Sequence, residues 1–188
     1  MQIVILRNFA PRVKDSAGKA VPSKKMNIRV RATPDQLFEM VSDVEKYPEF
    51  INLIPELRIT KKISNTDFEA EAIVAYKMFR ETFRSHIHID REKSFIRVTK
   101  AQKGGALKTL ENRWNFRELS DGTTLVDFYV DVSLKVFPLN MIVKDKMGRA
   151  SELIMDAFVR RAKQLYGVIG DKSTTLEMRA EIKSKASI

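Results

Sequence analysis

Few side chains in this sequence could do chemistry. The 188 residues include no cysteine, which excludes a thiolate nucleophile, a disulfide framework, a Cys-ligated zinc and an iron–sulfur cluster. The only histidines, His86 and His88, are two apart, so a strand carrying them puts both imidazoles on one face. Two ligands without a third do not build a zinc site. The alternation of Phe83, Ile87 and Ile89 makes that face the outer one. Glu81, Glu111, Asp127 and Asp131 also read as outward, as cross-strand partners of Arg84, Arg113, Arg117 and Lys135 rather than an acid/base pair. Gly104-Gly105 is too short to cradle a phosphate and suits a hairpin turn. What remains is a set of apolar and aromatic side chains with few polar companions. That composition suits a lining better than a reaction centre.

The elements that must hold these side chains are legible from periodicity. Lys24–Arg31 reads as a short strand. Thr33-Pro34-Asp35-Gln36 has the form of a helix start, with Thr as N-cap, Pro at the first helical position and Gln at the third. Leu37, Phe38, Met40 and Val41 give that helix one apolar face, and Pro48 and Pro55 bound a compact apolar segment. Period-two alternation then recurs through Leu57–Ile63, Phe68–Tyr76, Phe83–Ile89, Ile96–Val98, Leu110–Phe116 and Val126–Leu134. Ser64-Asn65, Gly104-Gly105 and Asp121-Gly122 supply turns. After Pro138 an amphipathic helical pattern runs to Tyr166, with Gly167 as its stop. The expected class is α+β: about seven antiparallel strands, six consecutive, covered by one long helix.

Charge is distributed unevenly. Half of the +10 net charge lies on residues 1–25, which carry Arg7, Arg12, Lys14, Lys19, Lys24 and Lys25 against Asp15. Residues 1–23 lack the apolar core of a secretory signal. They are basic and acid-poor like a transit peptide, and read more simply as a poorly ordered extension. Residues 24–167 form the domain, and 168–188 a frayed tail. No apolar stretch approaches the ~20 residues of a membrane span. The domain lacks the dense basic stripe with interleaved aromatics of a DNA binder.

A sheet wrapped on one helix either packs solid or encloses a cavity. Small Ala70, Ala72 and Ala150 beside large Phe83, Phe128 and Phe158, with flexible Met141, Met147 and Met155, suit a pocket of roughly 300–1,000 Å³. The same residues also suit a filled core. The candidate lining is Tyr47, Phe50, Val74, Tyr76, Phe83, Ile87, Asn112, Trp114, Phe128, Met147, Ile154 and Phe158. Tyr76, Ser85 and Asn112 share the inward parity and could meet ligand oxygens, or bond neighbouring backbone. Trp114 reads as packing before ring stacking.

Five motifs, in order, carry a resemblance. Asp43-Val44-Glu45-Lys46-Tyr47-Pro48-Glu49-Phe50 resembles the D-V-x-x-Y-P-x-F segment of the coenzyme Q-binding proteins, within the polyketide cyclase/START-like superfamily that also holds the ribosome-association toxins. Val74 to Phe83 is similar to that family's strand crossing, and Leu110-Glu111-Asn112-Arg113-Trp114-Asn115-Phe116 to its L-x-N-x-W-x-F strand. Val126-Asp127-Phe128 and Leu165-Tyr166-Gly167 agree as well. Where the family reads G-P-F, this chain has Gly105-Ala106-Leu107. The resemblance spans about residues 24–167. It implies a helix-grip (START/Bet v 1-like) fold and non-enzymatic binding of ubiquinone or a related polyisoprenoid lipid, with no covalent cofactor. It further implies support of respiratory electron transfer or quinone synthesis, and a cytoplasmic protein peripheral to the inner membrane or, alternatively, one on the matrix side of the mitochondrial inner membrane. The toxin subgroup implies the other reading, a regulator that binds the large ribosomal subunit. A third reading on the same fold, a cyclase, requires titratable groups inside.

Overall fold

A computed structural model describes residues 5–6, 23–76, 79–101, 107–135 and 139–170. The strands are β1 (Ile5–Leu6), β2 (Ser23–Val30), β3 (Glu56–Lys62), β4 (Asp67–Tyr76), β5 (Phe79–Asp90), β6 (Phe95–Lys100), β7 (Leu107–Glu118) and β8 (Thr124–Leu134). The helices are α1 (Pro34–Ser42) and α2 (Leu139–Tyr166), with a 3-10 helix at Val44–Glu49. All strand pairs are antiparallel in the order β1-β2-β8-β7-β6-β5-β4-β3. The seven main strands and the six consecutive ones follow the sequence reading, and β1 adds a two-residue edge against Ile28 and Asn27. The turn expected at Gly104-Gly105 lies outside the described residues.

Local chemistry accounts for the punctuation. Thr33 caps α1 in a capping box: its hydroxyl accepts from the Gln36 backbone N–H at 3.3 Å, and the Gln36 side chain accepts from the Thr33 N–H at 3.0 Å. Gly167 ends α2 at φ +74°, its N–H donating to the Lys163 carbonyl at 3.0 Å. The chain then folds back on the end of β2, where Arg31 Nε donates to the Ile169 carbonyl at 2.7 Å. Gly170 sits there at φ +76°, and a Cβ would fall 2.2 Å from the Thr123 methyl group, so the close approach needs glycine.

The sheet has two faces of opposite character. Residues paired across strands share a face, so the register reads the concave side directly. One row runs Met26–Phe128–Trp114–Ile96–Ile89 and the next runs Lys24–Val130–Asn112–Val98–Ile87–Phe68. Further along β4 and β5 the concave pairs are Ala70–Ser85, Ala72–Phe83 and Val74–Glu81. This corrects the outward placement of Glu81: it shares parity with Phe83 and lies on the concave side. Glu111, Asp127 and Asp131 do face outward, as do His86 and His88. Burial follows the same division, with Met26, Ile28, Ile96 and Met155 at 2% exposure or less and α1 and α2 covering them.

Candidate functional site

The concave face is not one environment. At one end the predicted lining residues fill the space themselves. Trp114 lies 4.3 Å from Phe128 and 5.0 Å from Phe158, centroid to centroid. Phe158 in turn meets Tyr47 at 5.1 Å and Phe50 at 5.2 Å, both edge to face. Each such pair contributes about 0.5–1.5 kcal/mol beyond its area. The 3-10 helix positions Tyr47, whose hydroxyl donates to the Val41 carbonyl at 2.6 Å. Burial pushes that phenol well above its ordinary pKa, so it stays neutral. Arg161 on α2 fastens the segment from outside, donating to Glu49 at 2.6 Å with its guanidinium 5.5 Å from the Phe50 ring.

The space left here is about 10 Å³, lined by Val30, Met40, Trp114, Phe116, Phe158 and their neighbours. That is room for one water, not a lipid. The expectation of a 300–1,000 Å³ pocket is therefore not met at this end, because five of the residues proposed to line it are rings that interlock. Packing is the role the structure shows for Trp114, Phe128, Phe158, Tyr47 and Phe50.

The other end differs. Val74, Tyr76 and Phe83 on β4 and β5, Val98 on β6, Leu110 and Asn112 on β7, and Val132 on β8 keep the inward parity yet are only half-buried. Ile87, at 3% exposure, marks the boundary between the two zones. Ile154 is half-buried on α2, while the Met147 side chain lies outside the described residues. Polar groups join this zone. The Asn112 Oδ1 is buried without a hydrogen-bond partner. Ser85 and Lys100 stand opposite each other on β5 and β6. The polar trio expected here, Tyr76, Ser85 and Asn112, is thus on the concave face, joined by Lys100 and Glu81, which the sequence reading missed. The signal for Lys100 was its parity with Ile96 and Val98.

The convex face contrasts in its electrostatics. Glu71 accepts from Arg84 at 2.7 Å and Arg58 at 2.9 Å, and these two partners hold its carboxyl below the usual range. Glu111 accepts from Arg97 at 2.9 Å and Arg113 at 3.3 Å. Asp67 lies 3.0 Å from His88 and 3.4 Å from His86, and hydrogen bonds from Thr66 and then His88 depress its pKa. Among the described residues no group of three or more His, Asp and Glu converges in a way that could hold a metal.

Known proteins resemble this chain in sequence and in fold. The chain is 25% identical over 133 residues to the ribosome association toxin RatA of Rickettsia prowazekii, covering 70% of this chain and 90% of that one. It is 26% identical over 132 residues to the mitochondrial coenzyme Q-binding protein coq10 of Schizosaccharomyces pombe, covering 69% and 80%. A START superfamily protein from Mycobacterium smegmatis superposes with a TM-score of 0.66 at 21% identity, over 76% of this chain and 98% of its own. That likeness shows the fold, a START-like sheet curved around its last helix. Residues 30–159 match the model of a family described as polyketide cyclase/dehydrase and lipid transport, and the chain belongs to that family.

Proposed function

We propose that this protein binds ubiquinone or a related polyisoprenoid lipid without chemically altering it, at the open end of the concave face. The observation that carries the reading is the half-buried apolar floor of Val74, Phe83, Val98, Leu110 and Val132, on the protected side of the sheet beside a closed aromatic plug. An apolar surface with a few converging polar groups is the usual form of a small-molecule site. The similarity to a coenzyme Q-binding protein supports the choice of ligand.

Energetics shape how such a site works. An isoprenoid chain drawn from a bilayer is already in hydrocarbon, so it gains little of the ~0.8 kcal/mol per CH₂ counted from water. Selectivity then falls to shape and to the polar groups that meet the head. A carrier role at the face of a quinone-containing membrane, in support of respiratory electron transfer or quinone synthesis, follows from that exchange. No helix of the described residues is long and apolar enough to cross a membrane, and contact with the membrane surface is part of this proposal.

Catalysis is disfavoured by spacing. Among the described residues, the unpaired ionisable groups of the half-buried zone are Lys100, opposite Ser85, and Glu81, four residues up the strand from Ser85. That places them roughly 13 Å apart along the strand, beyond the reach of an acid/base pair acting on one bond.

The toxin's similar identity keeps a second reading, association with the large ribosomal subunit. Against it stands the cross-linking of the convex arginines by Glu71 and Glu111, which breaks up any uniform basic stripe among the described residues. The deciding experiment is mass spectrometry of lipids extracted from the full chain expressed in a quinone-producing host. An isoprenoid quinone at near-stoichiometric yield is expected. No isoprenoid lipid, together with ribosome co-sedimentation that falls steeply with salt, would replace this reading with the second.

A further inference from the structure

Resting on the lipid-binding reading, we infer that the open end of the concave face docks on a membrane surface that carries anionic phospholipids. Arg80, Lys108 and Lys135 rim that end, with Lys100 just inside it, and docking brings the half-buried floor against the bilayer.

The placement comes from topology. In an antiparallel sheet alternate strand ends lie together. The end of β4, the start of β5, the end of β6, the start of β7 and the end of β8 therefore share one end of the molecule, where Tyr76 pairs with Phe79 and Leu107 with Leu134. The inward residues nearest this end are Val74, Phe83, Leu110 and Val132, all half-buried. A lipid leaving a bilayer at this end reaches that floor without crossing the closed aromatic plug at the other.

Charge separates the two ends. At the open one, Arg80, Lys108 and Lys135 are exposed, and among the described residues neither Lys100 nor Lys135 has an ion pair. Of the acids on these strand ends, Glu81 faces the concavity and Glu56 pairs with Arg80 at 3.1 Å. Both partners of that pair are mostly exposed, so it contributes little and gives way readily to a phosphate. The connections 77–78, 102–106 and 136–138 hold Lys77 and Lys103 and no Asp or Glu. The far end is mixed: Lys61, Lys62, Arg91 and Lys93 stand among Asp67, Asp90, Glu92, Glu118 and Asp121. Its cations are also engaged, Lys93 with Asp90 at 2.7 Å and Arg91 with Glu39. Cations gathered around an apolar opening match a surface that is anionic at its head groups and hydrocarbon beneath them. Nucleic acid answers the charge but not the apolar floor.

The test floats the full-length protein with vesicles of pure phosphatidylcholine and with vesicles in which about a third of the lipid is phosphatidylglycerol. Binding to the anionic vesicles should be at least about ten-fold tighter, and should weaken in 1 M salt, where the Debye length falls to ~3 Å. The amino-terminal arm is basic as well, so the position of the cations decides the matter. Lys108→Glu together with Lys135→Glu should weaken binding about thirty-fold, from ~1 kcal/mol for each cation lost at such a surface. Lys61→Glu together with Lys62→Glu makes the same charge change on exposed residues of the far end, and should weaken it less than about three-fold. Melting curves unchanged from the natural protein establish that both variants are folded. No preference for anionic vesicles, or equal losses from the two pairs, overturns the docking end; equal losses trace the attraction to net charge or to the arm. Vesicle binding untouched by the Lys108 and Lys135 changes while ribosome co-sedimentation is lost assigns this end to ribosomal RNA and overturns the membrane contact. If docking fails and quinone still co-purifies, the lipid-binding reading stands without it. If docking holds and no isoprenoid lipid is extracted, the surface stands and the guest does not.

Discussion

The two ends of the concave face use the same alternation to opposite effect. Around Trp114 every inward position is filled: Phe128, Phe116, Phe158 and Ile96 are all at 5% exposure or less. Around Val98 the inward positions are equally apolar but half-buried. Apolar area removed from water stabilises the fold at about 25 cal/mol per Å², so the first end contributes more per residue than the second. One end holds the protein together, and the other has surface left to offer a guest.

Truncation exposes that contrast most strongly. Phe158→Ala removes the ring that Tyr47, Phe50 and Trp114 all meet edge to face, and should cost about 3–5 kcal/mol. At 2–4 °C per kcal/mol for a chain of this size, the melting temperature should fall by about 10 °C. Val98→Ala, at the open end, should cost under about 1 kcal/mol. Equal losses in a thermal melt would mean that the two ends are not energetically distinct.

Enlargement sharpens the comparison from the other side. Leu110→Trp adds bulk where the inward face is half-buried, and should leave the melting temperature within about 3 °C while lowering quinone retention at least ten-fold. Val126→Trp adds bulk at 2% exposure, where overpacking costs about 1–3 kcal/mol. Lipid retention unchanged by Leu110→Trp would place the ligand elsewhere.

Much of this was legible in the sequence, and the gaps have physical causes. The run of six consecutive antiparallel strands, the capping box at Thr33 and the stop at Gly167 could be read because turn chemistry and period-two alternation are local properties, whereas the pairing of β2 with β8 joins distant segments. Parity also put Ser85 and Asn112 on the concave face. It could not say that Trp114 and Phe158 interlock while Val98 and Leu110 stay half-buried, since that depends on where α2 crosses the sheet. Lys100 escaped notice because a lysine at a strand end looks like a surface residue. Its inward position shows only when Ser85 is seen opposite it. Glu81 reads as outward when grouped with the carboxylates that face arginines, yet it shares parity with Phe83, and its register partner Val74 puts it on the concave side.

The smallest effect separates the concave face from the convex one. Acidic groups on the convex side are mostly answered by arginines, but Asp131 stands directly opposite Glu111. Its bond from the Thr109 hydroxyl is long, at 3.4 Å. Burial first, and then Glu111, raise the Asp131 pKa above its ordinary value, with Thr109 opposing them. A carboxyl whose pKa is higher in the folded state binds more protons folded than unfolded, so its contribution to stability is full below the unfolded pKa, near 4, and is lost as pH rises through the folded value. At pH 7 the ionised group is therefore a liability. Asp131→Asn should stabilise the protein there by up to about 1 kcal/mol, the scale of a like-charge cross-strand pair. The gain should vanish near pH 3, where the natural side chain is protonated and equally neutral. Melting curves at the two pH values decide it: a gain that persists at pH 3 would trace to hydrogen bonding with Thr109, and the opposition of Asp131 and Glu111 would not be the cause.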